Sequence, residues 1–163
     1  MMATTALMAL PGLVAALEVP YELELTDQSP LFTYTPGIDR FKVRDPSVLF
    51  DQAVNWAVVY SESGQASWTP GSAGVGTSAH STTRASSQAS LNFVGTGVEV
   101  YGTSDGNYRA TIDSQDAGGS ENTLISISGL ALGGHNAILR NTGVGPISIT
   151  RAKVTTSMFS ESA

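Results

Sequence analysis

The sequence predicts an all-β protein whose strands run antiparallel in a sandwich or barrel. Three observations carry the prediction. Apolar residues alternate with polar ones at period two in several stretches, as in Ala89-Ser-Leu91-Asn-Phe93 and Tyr108-Arg-Ala110-Thr-Ile112. Gly-rich turn sequences separate such stretches at intervals of roughly 8–12 residues, the rhythm of an antiparallel layout and not of a βαβ one. Ser, Thr and Gly supply a third of the 163 residues, and charged residues only 13%, a composition short of the Glu, Lys and Arg that long surface helices use.

Met1 to Leu17 holds no charged side chain, and its apolar run from Ala6 reaches the small residues Ala15 and Ala16 ahead of Glu18. The run is shorter than the ~20 apolar residues of a membrane span and is diluted by Pro11 and Gly12, so residues 1–16 read as a secretory signal peptide cleaved near Ala16. No other run approaches a span. One domain is expected over 17–154, followed by a polar tail over 155–163.

Within that domain, strands are expected at Val19 to Leu25, Val54 to Tyr60, Thr77 to Thr82, Ala89 to Phe93, Val98 to Val100, Tyr108 to Ile112, Asn122 to Ser128, Asn136 to Arg140 and Pro146 to Val154. Gly95-Thr96-Gly97 predicts a tight hairpin in which a glycine takes positive φ, with Phe93, Val98 and Val100 pairing across it. In the last strand Ile147 and Ile149 share one face and Ala152 and Val154 the other, so a β-bulge is expected at Thr150 or Arg151. Gly37 to Ala53 concentrates charge and reads as a short helix or an excursion from one end; Ser61 to Gly76 reads as a long loop carrying Trp68. Trp56, between Val54 and Val58, is expected in the core.

The charge balance excludes some functions. With 8 Lys+Arg against 14 Asp+Glu the net charge is −6, which offers nucleic acid no basic face. Cysteine is absent and histidine occurs twice, so thiol chemistry, thiolate zinc sites and His-rich metal centres are all excluded. Gly102-Thr-Ser-Asp-Gly106 has the composition of a turn between two strands, and the aspartates at 39, 45 and 51 stand among Arg40, Lys42 and Arg44 as a solvated mixed-charge segment.

A series of residues adds a resemblance. Asp27-Gln28-Ser29-Pro30-Leu31, Tyr34, Pro36, Trp56, His80-Ser81-Thr82, Phe93-Val-Gly-Thr-Gly-Val-Glu-Val-Tyr-Gly102, Tyr108-Arg-Ala-Thr-Ile-Asp113, Ser128-Gly-Leu130, Gly134-His135 and Asn141-Thr-Gly143 occur in order. The series resembles the extracellular domain of a largely uncharacterised group of fungal secreted and single-pass membrane proteins. That domain is similar to the galactose-binding-like jelly-roll sandwiches used as carbohydrate-binding modules. The resemblance covers about Tyr21 to Val154 and departs at the charged stretch Gly37 to Ala53 and at Thr150-Arg-Ala-Lys153. It implies a jelly-roll sandwich, a secreted or cell-surface location, and contact with carbohydrate.

A sugar site needs aromatic or other apolar surface for C–H faces and fixed polar groups for hydroxyls. By residue type and loop position, Trp68, His80, Arg84, Tyr101 and Asn107 are the ligand-binding candidates, with packing the alternative for Trp68 and ordinary hydrogen bonding for His80. His135 is expected to satisfy turn backbone. Asp113, Asp116 and Glu121 bracket a Gly-rich turn with the hard oxygens that calcium takes, so a structural calcium is the one cofactor considered. The expectation is a secreted, non-catalytic module contacting a glycan; a protein-binding adhesion domain and a small hydrolase on the same fold are the alternatives.

Overall fold

The computed structural model describes residues 17–36, 55–62, 64–65, 76–105, 107–120 and 122–160. The signal-like segment 1–16, the charged stretch 37–53, Trp68 and Glu121 lie outside the described residues, as does most of the 61–76 loop. Among the described residues ten strands follow in chain order: β1 Leu17–Thr26, β2 Phe32–Thr35, β3 Ala57–Tyr60, β4 Gly64–Gln65, β5 Ser78–Thr82, β6 Gln88–Ser104, β7 Tyr108–Ile112, β8 Gln115–Asp116, β9 Thr123–Asn141 and β10 Ile147–Ser160. No helix occurs among the described residues. The strand order is β4-β3-β5-β10-β6-β9-β7-β8, with β1 added on β10 and β2 on β6, and every pairing is antiparallel.

Gly95-Thr96-Gly97 is not a hairpin: β6 runs straight through it. Its first half lies between β2 and β9 and its second between β10 and β9, and the register with β9 jumps from Gly95↔Gly133 to Gly97↔Ser128. The buried positions change phase at the same place, from Ala89, Leu91 and Phe93 to Val98 and Val100, because an irregular step in a strand turns its side chains to the other face. Neither glycine has positive φ. Both are needed for close approach, since a methyl at Gly95 would collide with the Thr155 carbonyl and one at Gly97 would lie 2.8 Å from the Ile127 carbonyl oxygen.

The phase change lets β6 and β9 serve two facing layers. Ala89, Leu91, Ala137 and Leu139 from one half line the same small internal void as Val100, Ile125 and Ile149 from the other. Around that contact the core takes in Trp56, Ile112, Val98, Ile147, Ala152 and Val154 among others, each large aliphatic side chain contributing roughly 1.5–3 kcal/mol by leaving water.

The bulge expected in the last strand is present, as a register shift between Ile149 and Arg151. β10 then continues past Val154 to Ser160, pairing Leu17↔Ser160 through Thr26↔Arg151 with β1. The segment read as a tail is therefore strand through Ser160. In the same way the two strands expected at 122–128 and 136–140 belong to one extended run, β9, in which residues 129–132 stand out of register.

Candidate functional site

The five ligand-binding candidates do not converge. His80 on β5 sits opposite Ile149, on the core side, whereas Tyr101 on β6 sits opposite Arg151 beyond the bulge, where the facing direction has reversed. Arg84 and Asn107 lie in turns at one end of the domain: the Arg84 carbonyl accepts from Ser87 N, and the Asn107 carbonyl accepts from Thr142 N. Trp68 is outside the described residues.

His80 belongs to an internal polar cluster. Its Nδ1 lies 2.9 Å from Asp27 Oδ2, and Asp27 is 1% exposed. Ser78 Oγ donates to the other carboxylate oxygen, Tyr34 OH donates to the Asp27 carbonyl at 2.7 Å, and the Tyr34 ring stacks on the imidazole at 4.1 Å. Burial, then the neighbouring Asp27 carboxylate, pushes the Tyr34 phenol well above its ordinary range. Asp27 N also donates to the Thr150 carbonyl at the β10 bulge, so the cluster ties the β1–β2 turn to β5 and β10. Its geometry is that of a tie between strands.

Tyr101 is covered as well. The Arg151 guanidinium lies 3.9 Å from the ring centroid and the hydroxyl donates to Glu99 at 2.6 Å. That bond is the main cause of a raised Tyr101 and a lowered Glu99 pKa. Lys153 bridges Glu99 and Glu22 at 3.0 and 3.3 Å, making this face of β1, β10 and β6 a lattice of mutually satisfied charges.

Of the carboxylates considered for calcium, Asp113 accepts Asn136 N at 2.9 Å on one oxygen and faces His135 Nδ1 at 2.6 Å on the other. Asp116 pairs with Arg109 at 2.8 Å. Among the described residues no three acidic or histidine side chains gather as metal ligands do.

The Asp113–His135 pair nevertheless marks the hollow whose lining best suits a ligand. A groove of about 670 Å³ is lined by Leu23, Leu31, Phe93 and Val94 on its apolar side and by Asn92, Asp113, His135 and Asn136 on its polar side. Leu23, Leu31 and Val94 are 38%, 41% and 64% exposed, an arrangement that leaves apolar surface open to a ligand. The polar groups are fixed: Asn136 Nδ2 donates to Asn92 Oδ1 at 2.7 Å, and His135 Nε2 faces the Ala131 carbonyl at 2.8 Å. Both ring nitrogens thus face acceptors, which only the imidazolium satisfies. The Asp113 bond and then the Ala131 carbonyl raise the His135 pKa, while the Asn136 amide and then His135 lower that of Asp113.

The groove continues along the sheet. On β6 and β9 the cross-strand pairs Asn92↔Asn136, Ser90↔Ile138 and Gln88↔Arg140 follow one another at alternate positions and therefore share one outward face. Gln88, Ile138 and Arg140 then line a second, adjoining hollow of about 260 Å³ with Arg109, Thr111 and Ser114. From Gln88 to Val94 the face extends about 20 Å. These amides and guanidinium groups are the outward positions of strands whose inward positions the alternation had identified. Their signal in the sequence was Gln88-x-Ser90-x-Asn92 and Asn136-x-Ile138-x-Arg140.

Comparison with protein families, curated proteins and solved structures finds no match to the chain.

Proposed function

We propose that this protein is a non-catalytic binding module, secreted or held at the cell surface, that contacts a glycan through the outward face of β6, β9 and β7. The observation that carries the reading is the groove itself, where apolar Leu31 and Val94 stand beside the fixed amides of Asn92 and Asn136. Sugar rings present C–H faces and vicinal hydroxyls, and planar amides in set positions can donate to one hydroxyl and accept from the next. Binding is favoured over catalysis because both ring nitrogens of His135 are already engaged, one by a carboxylate and one by a carbonyl. The charge-free apolar start supports export. The motif series supports a jelly-roll sandwich of the galactose-binding-like kind, and the two layers sharing β6 and β9 are compatible with it.

The test is retention of the protein on immobilised plant and fungal polysaccharides, run with and without calcium. Retention on at least one glycan is expected, with N136A weakening it about five- to tenfold, the loss of one or two hydrogen bonds. Retention on none would overturn the reading. A second reading, contact with protein, draws on Val19, Tyr21 and Leu23 of β1, which are 43%, 45% and 38% exposed along one side of a strand that, among the described residues, pairs with β10 alone. It gains support if Y21A abolishes association with a cell-surface protein while glycan retention is absent.

A further inference from the structure

Arg109 and Arg140 are cross-strand partners on β7 and β9 and line the same hollow of about 260 Å³. Like charges directly opposite one another on a sheet face oppose folding. This chain has only 8 Lys+Arg against 14 Asp+Glu, so an acidic protein has set two of its few cations side by side. Their partners do not remove the excess. Arg109 Nε and Nη2 both engage one oxygen of Asp116, at 2.9 and 2.8 Å, whereas Arg140 Nη2 donates to the neutral Gln88 amide at 3.1 Å. Elsewhere on the sheets the cations meet carboxylates: Arg151 meets Glu24, and Lys153 meets Glu22 and Glu99.

We infer that this hollow binds an oxyanion carried by the glycan, a uronate carboxylate or a sulfate ester, between Arg109 and Arg140. The proposal rests on the glycan reading and names the substrate class for the same face. A guanidinium presents a planar fork of N–H donors that matches such a group bidentately. Arg140, oriented by Gln88, keeps donors beyond the one that this amide receives. Thr111 and Ser114 add hydroxyls to the lining, and Ile138 gives the ring an aliphatic surface. An anion between the two guanidiniums also cancels their mutual repulsion, so charge complementarity selects the occupant. Because the whole chain is acidic, attraction of a polyanion has to be local to this face.

Affinity electrophoresis of the full chain through gels containing polygalacturonate, dextran sulfate or a neutral polysaccharide tests the inference. The expected result is retardation by one of the two anionic polymers, which identifies the source of the oxyanion. R140Q should weaken it tenfold or more and R109Q less because Arg109 is shared with Asp116, and in both variants retention by a neutral polymer should fall by a smaller factor. A thermal unfolding midpoint of R140Q equal to or above that of the unsubstituted protein is also expected, since a purely structural arginine would lower it. Retardation by neither anionic polymer overturns the inference, as does retardation that R140Q leaves unchanged. If neutral polymer still retards the protein in either case, the glycan reading survives and only the anionic substrate is lost.

Discussion

Two Asp–His pairs, at Asp27–His80 and Asp113–His135, use the same chemistry for different ends. In the first the carboxylate is 1% exposed, is hydrogen-bonded by Ser78, and has its histidine stacked on Tyr34. In the second the carboxylate is 46% exposed and lies on the rim of the apolar groove. Burial decides the role. A carboxylate closed in by its own strands is committed to holding them together, while one at a groove edge keeps a side open to a ligand. The difference lies in the carboxylates and not in the rings, since the His80 and His135 side chains are 15% and 11% exposed; His80, one of the residues singled out from sequence, is bonded to a buried Asp27, and His135 to an Asp113 that lines the groove.

The largest expected effect breaks the buried pair. Asp27→Ala would leave His80 Nδ1 and Ser78 Oγ without their acceptor and should cost about 3–5 kcal/mol in denaturant unfolding; a loss below ~1 kcal/mol would show that the cluster is not a tie. Next comes the corner that divides the two regions. Gly95→Ala sets a methyl against the Thr155 carbonyl and should destabilise by about 1–3 kcal/mol by the same measurement. Tyr34→Phe keeps the stacked ring and removes the donor to the Asp27 carbonyl, for a loss of about 1 kcal/mol.

The smallest effect on stability is expected at the rim, where pH dependence is the sharper probe. Bonding raises the His135 pKa above its ordinary 6.5, so its contribution is complete below that value and is lost as pH rises through the raised pKa of the folded state. Asp113 is shifted down from 3.8, so its contribution is present above that value and is lost as pH falls through the lowered one. The pair therefore supports the fold fully between about pH 4 and 6.5. Asp113→Asn should lower the His135 pKa followed by imidazole proton shifts and flatten the alkaline side of a stability–pH profile. An unchanged titration would separate His135 from Asp113.

The sequence carries two phase changes of the same kind, with different local signals. At Thr150-Arg151 no turn residue intervenes, so the shift from Ile147 and Ile149 to Ala152 and Val154 left a bulge as the natural account, and the structure has one. At Gly95-Thr96-Gly97 two glycines made a hairpin the obvious reading, although the identical shift from Phe93 to Val98 is also what a bulged strand produces. What separates the cases is tertiary. The glycines admit the Thr155 and Ile127 carbonyls, and those contacts are made by strands about 30 and 60 residues away in sequence. Trp56 was legible as core from its flanking valines, and it is 1% exposed. The groove was not, because it joins Leu23 and Leu31 to Asn136 across strands whose pairing no local pattern announces. Aromatic residues in loops are the sequence signal for a sugar site, whereas the polar row lies on strand faces.

The most direct test of the account is a backbone amide NMR titration of the protein with an oligosaccharide from a polymer that retains it. The account predicts shifts concentrated at Asn92, Val94, Asn136, Ile138 and Arg140, with Asp27, Ser78 and His80 unmoved. Shifts confined to the Asp27–His80 end, with the β6–β9 face silent, would contradict it.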